Sequence, residues 1–261
     1  MKRTPILPDF DTIPEVFHSI MKASPVFDSS CSPIAKVYYI ETDGGLFLKT
    51  AAAGTLRQEA EMDAYFHSLG LGPEVLEYRA EDKDWLLTRR VPGEDCTHQQ
   101  YLAQPERLAE TIGEILADLH RRDHSGCPVK SHTARYISRA RENYAANRYD
   151  TSLFPDNWGY TTPEEAWAVM EANARYLKTD TLLHGDYCLP NIMLDNWKPS
   201  GFIDVGGGGV GDRHIDLFWG NWTLNFNLKT DRYCDYFLDA YGRQNFEEEM
   251  LRVVAAFEVF E

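Results

Sequence analysis

Near residue 90 the hydrophobic pattern of this chain changes period, and that change limits the folds open to it. Before it, KVYYI (36–40) and GLFLK (45–49) are β-prone runs joined by ETDGG, whose Asp43-Gly44 is a strong hairpin signal. RQEAEMDAYFHSLG (57–70) reads as a helix closed by Gly70. EVLEYR (74–79) and DWLLTRR (84–90) read as a second hairpin around an acidic turn. After VPGED the period becomes helical. ERLAETIGEILADLH (106–120) sets Leu108, Ile112, Ile115, Leu116 and Leu119 on one stripe that must face a core. Residues 132–148 continue helically and 150–162 break into a loop. Thr162-Pro163-Glu164-Glu165 then caps a helix running to about Leu177, and two or three helices follow towards the end of the chain. The expected fold class is α+β, with two lobes. The N-terminal lobe, 1–90, is an antiparallel sheet with a helix; the C-terminal lobe, 91–261, is mainly helical, with VPG as the hinge.

Composition narrows the function classes. The 261 residues, 43% hydrophobic, can bury a substantial core. Five cysteines (31, 96, 127, 188 and 234) are an odd number without zinc-site spacing, which suits a reducing cytoplasm. The opening MKRTPILPDF lacks the apolar run of a signal peptide, and no later segment approaches a membrane span. A net charge of −15 repels nucleic-acid phosphates and attracts a cationic small molecule, although acidity also serves solubility alone. The expectation is a cytoplasmic monomer or weak dimer, with neither nucleic acid nor membrane as partner.

The chemistry concentrates in LLHGDYCLPNIMLDNWKPSGFIDVGG (182–207). His184-Gly185-Asp186 follows a short apolar run, Asn191 comes five residues after Asp186, and Asp204 closes a second apolar run. H-x-D-x-x-x-x-N followed by D-x-G has the order and spacing of the protein-kinase catalytic loop and metal-binding aspartate. In-line attack on a γ-phosphoryl needs an acceptor for the hydroxyl proton, which suits Asp186. A hard cation such as Mg²⁺ needs oxygen ligands, which Asn191 and Asp204 supply. Asx turns in a surface loop would explain any one of these residues, but not all four in register. A hydrolytic metal centre on His184 and Asp186 has no second histidine cluster behind it.

A kinase-like reading makes demands on the first ninety residues. Lys49 ends a strand and can reach nucleotide phosphates, with Glu59 of the next helix to orient it; Glu61 remains an alternative partner. Ser32 lies in the serine-bearing loop DSSCSPIAK, which can cover phosphates. Arg89 and Val91 would present backbone groups to a nucleobase.

HGDYCLPNIMLD with SGFIDVGGGGVGDRHIDL resembles the signature of the aminoglycoside 3′-phosphotransferases, within the wider aminoglycoside phosphotransferase and protein-kinase-like fold. The likeness extends to SPIAKVYYI, FLKT, LLTRRVPGED and EILADLH, and so covers most of the chain. HGD-x-x-x-x-N with FID is shared by many small-molecule kinases; CLPNIM with SGFID is more specific to the 3′ group. The resemblance implies transfer of the γ-phosphoryl of ATP, with GTP as the alternative donor, to a hydroxyl of a cationic aminoglycoside, the 3′-OH. It implies Asp186 as catalytic base, Asn191 and Asp204 on Mg²⁺, and Lys49, Glu59 and Ser32 at the nucleotide. Asp216 would brace the catalytic loop, while Glu258 and Phe260 would meet the antibiotic, joined by Asp156. Where the family has Gly-Arg after the metal aspartate, Gly206 is followed here by Gly207, a change expected to remove a cation and loosen the backbone. Phe226 and Asn227 stand where acidic antibiotic contacts are expected, and Trp158, Trp219, Trp222 and Phe226 could line a more apolar pocket. A kinase of another small hydroxylated or amino-sugar metabolite, and a nucleotide-binding pseudokinase, are therefore the alternatives.

Overall fold

The computed structural model of the chain describes residues 3–150 and 160–261. In chain order its first elements are β1 (Thr4–Pro5), α1 (His18–Lys22), β2 (Val26–Asp28), β3 (Lys36–Ile40), β4 (Leu46–Ala52) and α2 (Arg57–Ser68). Next come β5 (Val75–Ala80), β6 (Lys83–Arg89), β7 (Glu94–Asp95), α3 (Gln99–Leu102), α4 (Pro105–His120) and α5 (His132–Ala145). After the undescribed stretch follow α6 (Pro163–Asn173), β8 (Thr181–Leu183), β9 (Ile192–Asp195), β10 (Lys198–Phe202) and β11 (Gly209–Gly211). The chain ends on α7 (His214–Leu228), α8 (Cys234–Tyr241) and α9 (Glu248–Glu258). Both hairpins and the helices read from the sequence are present, and the class is α+β. Thr162 caps α6 as expected, its hydroxyl accepting from Glu165 N–H at 3.2 Å, though the helix closes at Asn173 in a short 3₁₀ turn.

Two compact units divide these elements: Met1–Asp95 with Pro190–Gly206, and Cys96–Leu189 with Gly207–Glu261. The first is built on a six-stranded antiparallel sheet of order β1-β2-β3-β4-β6-β5. Strand alternation sorts its side chains by face. Leu46, Leu48, Trp85 and Leu87 join Ile13, Phe17 and Met21 in one core, while Ala51 and Leu86 join Leu56 and Ala60 on the other side. Lys49 is paired with Leu86 and so belongs to the face that α2 covers. Residues 190–206 return to this unit because β9 pairs with both β7 and β10, Phe202 N–H donates to the Leu71 carbonyl, and the Phe66 and Phe202 rings meet edge to face. An expected division at 90/91 leaves that segment with the C-terminal lobe.

Among its described residues the second unit is helical apart from the β8–β11 pair and connecting loops. Its core gathers Tyr136, Met170, Leu183, Ile215, Phe218, Val254, Phe257 and Phe260 from α5, α6, α7, β8 and α9 with the residues just after it.

Candidate active site

In the first unit the charged groups assemble on the α2 side of the sheet. Lys49 Nζ lies 2.8 Å from both carboxylate oxygens of Glu59 and 2.9 Å from Asp204 Oδ1. Glu61 is turned to solvent, because two residues along a helix rotate a side chain by about 200°. Burial alone would lower the Lys49 pKa, but the carboxylates of Asp204 and Glu59 more than reverse this and hold it charged. Burial raises the Glu59 carboxyl, with Lys49 opposing the rise.

Asn191 precedes β9 and Asp204 follows β10, so the antiparallel register, Phe202 opposite Ile192, brings both to one end of the hairpin. Ile203 N–H closes it on the Asn191 carbonyl at 3.0 Å. Asp204 has φ 60°, a left-handed conformation that a short polar side chain tolerates, and its side chain is 51% exposed. An amide oxygen and a carboxylate at one hairpin end are a donor set suited to a hard divalent cation. Gln58 donates to the Gly206 carbonyl at 2.6 Å, tying α2 to the residue that ends this segment. Asp63, one turn beyond Glu59, is buried. Burial and the Glu59 charge hold its carboxyl well above the usual range.

The same unit holds a cavity of about 170 Å³ lined by Phe47, Val91, Met193 and Ile203, with Arg3 and Glu94 among its polar walls. Val91 thus faces the cavity. Arg89 does not: its guanidinium pairs with Glu74 at 2.8 Å and its N–H is engaged by the Glu74 carbonyl. Ser32 is exposed in the loop between β2 and β3, its hydroxyl accepting from Ile34 N–H at 3.1 Å.

In the second unit the chain turns sharply at Gly185, with φ +88°. A side chain there would sit 2.1 Å from the Gly207 carbonyl oxygen, so only glycine fits. Gly209 is equally confined, since a Cβ would meet Val129 at 2.4 Å, and Val210 N–H donates to the Val129 carbonyl at 2.7 Å. Within the glycine run, Gly209 is therefore demanded by close packing and β11 pairing.

Asp216 accepts from His184 N–H and Gly185 N–H, each at 2.8 Å, and its Oδ2 lies 3.1 Å from His120 Nε2. His120 Nδ1 is 2.9 Å from the Tyr241 hydroxyl. Burial lowers the His120 pKa, with Asp216 opposing the fall, which leaves a neutral ring that donates from Nε2 and accepts at Nδ1. Tyr187 follows Asp186 and is buried, its hydroxyl donating to the Ile112 carbonyl at 2.7 Å. These contacts fix the backbone on both sides of Asp186. The LH that closes α4 is the sole sequence hint of the His120 partnership.

Of the expected antibiotic contacts, Asp156 lies outside the described residues, as does Trp158. Phe260 is fully buried against Tyr144 and Trp167, with its carbonyl held by Asn143 at 2.6 Å. Glu258 is buried too, accepting from the Tyr136 hydroxyl at 2.8 Å. Burial pushes its carboxyl up to about 8, opposed by the Tyr136 and Trp219 hydrogen bonds and reinforced by Glu261 and Asp186. The unfolded chain keeps the ordinary value of 4.5, so between the two the folded state binds more protons and loses stability as pH rises, the loss being complete above about 8. Glu258→Gln is expected to flatten this decline. Urea midpoints at pH 5, 6.5 and 8 that ran parallel for wild type and variant would contradict it.

The chain belongs to the phosphotransferase enzyme family, whose model matches residues 34–255. Within it, the chain is 45% identical to the probable aminoglycoside 3′-phosphotransferase of Lactococcus lactis subsp. lactis (strain IL1403), over 97% of this chain and 96% of that protein. It is 30% identical to the aminoglycoside 3′-phosphotransferase of Niallia circulans, over 83% and 84% of the two chains. Among solved structures, the aminoglycoside-3′-phosphotransferase of type VIII superposes with a TM-score of 0.74 at 26% identity, covering 95% of this chain and 100% of the other. The α+β architecture is the kinase-like fold of these enzymes.

Proposed function

We propose that this protein transfers the γ-phosphoryl group of ATP to the 3′-hydroxyl of an aminoglycoside in the cytoplasm. The observation that carries the phosphotransfer reading is Lys49 held by Glu59 and Asp204; the acceptor rests on the similarity to aminoglycoside 3′-phosphotransferases. Lys49, kept charged by its two carboxylates, would hold phosphate oxygens, and Ser32 would cover them. The cavity at Phe47 and Val91 would take the nucleobase. Asn191 and Asp204 would hold Mg²⁺, which when bound supplies neutralising charge to the phosphates. Asp186 would accept the proton of the attacking hydroxyl. The acidic surface of the chain, net −15, favours approach of a polycation.

The test is ADP release from ATP and Mg²⁺ with kanamycin present, followed by NMR mapping of the phosphorylated position. Lys49→Ala is expected to lower kcat/KM for ATP by about 10²-fold or more, since it removes a charge that acts on the transferring phosphates. No kanamycin-dependent ADP release by the wild type would sink the aminoglycoside assignment.

A second reading, a kinase of another small hydroxylated or amino-sugar metabolite, is favoured by one feature of α7. Trp222 and Phe226 stack at 4.8 Å and 10°, with Phe226 55% exposed, on the helix where acidic contacts are expected. Turnover of a neutral amino alcohol or nucleoside in preference to kanamycin would select this reading. ATP binding without any transfer would select a pseudokinase.

A further inference from the structure

Helix α7 grips the Asp186 loop at two points seven residues apart. Asp216 takes the amides of His184 and Gly185, before Asp186; Thr223 Oγ1 takes the amide of Leu189, after it, at 3.1 Å. Seven residues make two helical turns, so both side chains lie on one face of α7. Thr223 is 1% exposed in mid-helix, where a buried hydroxyl needs partners. Asn227 Nδ2 donates to Thr223 Oγ1 at 3.1 Å and to its carbonyl at 2.8 Å. Leu189 and Asn227 therefore fill both acceptor positions of the hydroxyl oxygen. Thr223 is thus tied at once to the loop after Asp186 and to the next turn of α7.

We propose that Thr223 is a positioning residue for Asp186, the second jaw of a clamp whose first jaw is Asp216. This rests on reading Asp186 as the base. The clamp holds the loop backbone on both sides of Asp186.

Thr223→Val keeps the shape and removes the hydroxyl. It is expected to lower kcat for kanamycin phosphorylation about tenfold while KM for ATP and for kanamycin stay within about twofold. Thr223→Ser is expected to restore kcat to within about threefold of wild type. Hydrogen exchange of the Leu189 amide is expected to accelerate at least about tenfold in Thr223→Val and to return in Thr223→Ser. Unchanged kcat, a kcat loss that serine does not restore, or unchanged exchange would overturn the proposal. A wild type without kanamycin-dependent ADP release would instead remove the functional reading, and the exchange of Leu189 would still decide the clamp.

Discussion

Asp186→Asn is expected to abolish most turnover, lowering kcat for kanamycin phosphorylation by about 10²- to 10⁴-fold, while ADP binds as it does to the wild type. Asparagine keeps the size and polarity of the side chain but cannot take up the hydroxyl proton. The contacts that fix the loop backbone on either side belong to neighbours: the backbone of His184 and Gly185 is held by Asp216, and the Tyr187 hydroxyl by the Ile112 carbonyl. The loop should therefore keep its course in the variant. Steady-state kinetics with ADP calorimetry separate the two quantities. A variant with near wild-type kcat would remove Asp186 from the chemistry, and one that also lost ADP affinity would point to a disturbed fold.

The second large effect concerns stability. Asp216→Ala is expected to cost about 3–5 kcal/mol, because it strands a buried amide, a half-buried amide and a buried histidine at once. Burial works against the Asp216 charge, but the hydrogen bond from His120 and those from the loop amides more than compensate, and its pKa is lowered. The group is thus ionised and fully partnered at neutral pH, and its loss leaves donors without an acceptor. Urea unfolding at pH 7 measures the change; a loss under 1 kcal/mol would show that the loop amides find other partners. Activity should fall with stability here, which distinguishes Asp216 from Asp186.

Much of this architecture is legible where the signal is local. Asp43-Gly44 marks a hairpin, and Gly44 adopts φ +81° in the turn between β3 and β4. Thr162-Pro163 marks the start of α6. Lys49 and Glu59 could be paired from charge and reach alone, but the choice between Glu59 and Glu61 needed the rotation of α2 about its axis. What stays hidden depends on contacts between distant segments. β4 pairs with β6 across an intervening helix, and nothing periodic in either strand announces it. His120 meets Asp216 across ninety-six positions, and Thr223 reaches Leu189 across thirty-four. A mid-helix threonine among apolar neighbours reads as unremarkable packing until its hydrogen bonds are seen. Glycine is ambiguous for a related reason: it permits freedom, but at Gly185 and Gly209 it also permits contact that no side chain could survive.

The return of residues 190–206 to the first unit imposes a schedule on synthesis. Asp95 leaves the ribosome 111 residues before Gly206, so the first unit waits for its last hairpin roughly 5–20 s at ordinary elongation rates. During that interval the nascent first unit carries Lys49 and Glu59 but not Asp204. The opening strands therefore cannot acquire their full set of charged partners early and independently. The triad closes only after most of the protein, including the entire Asp186 loop, has been made.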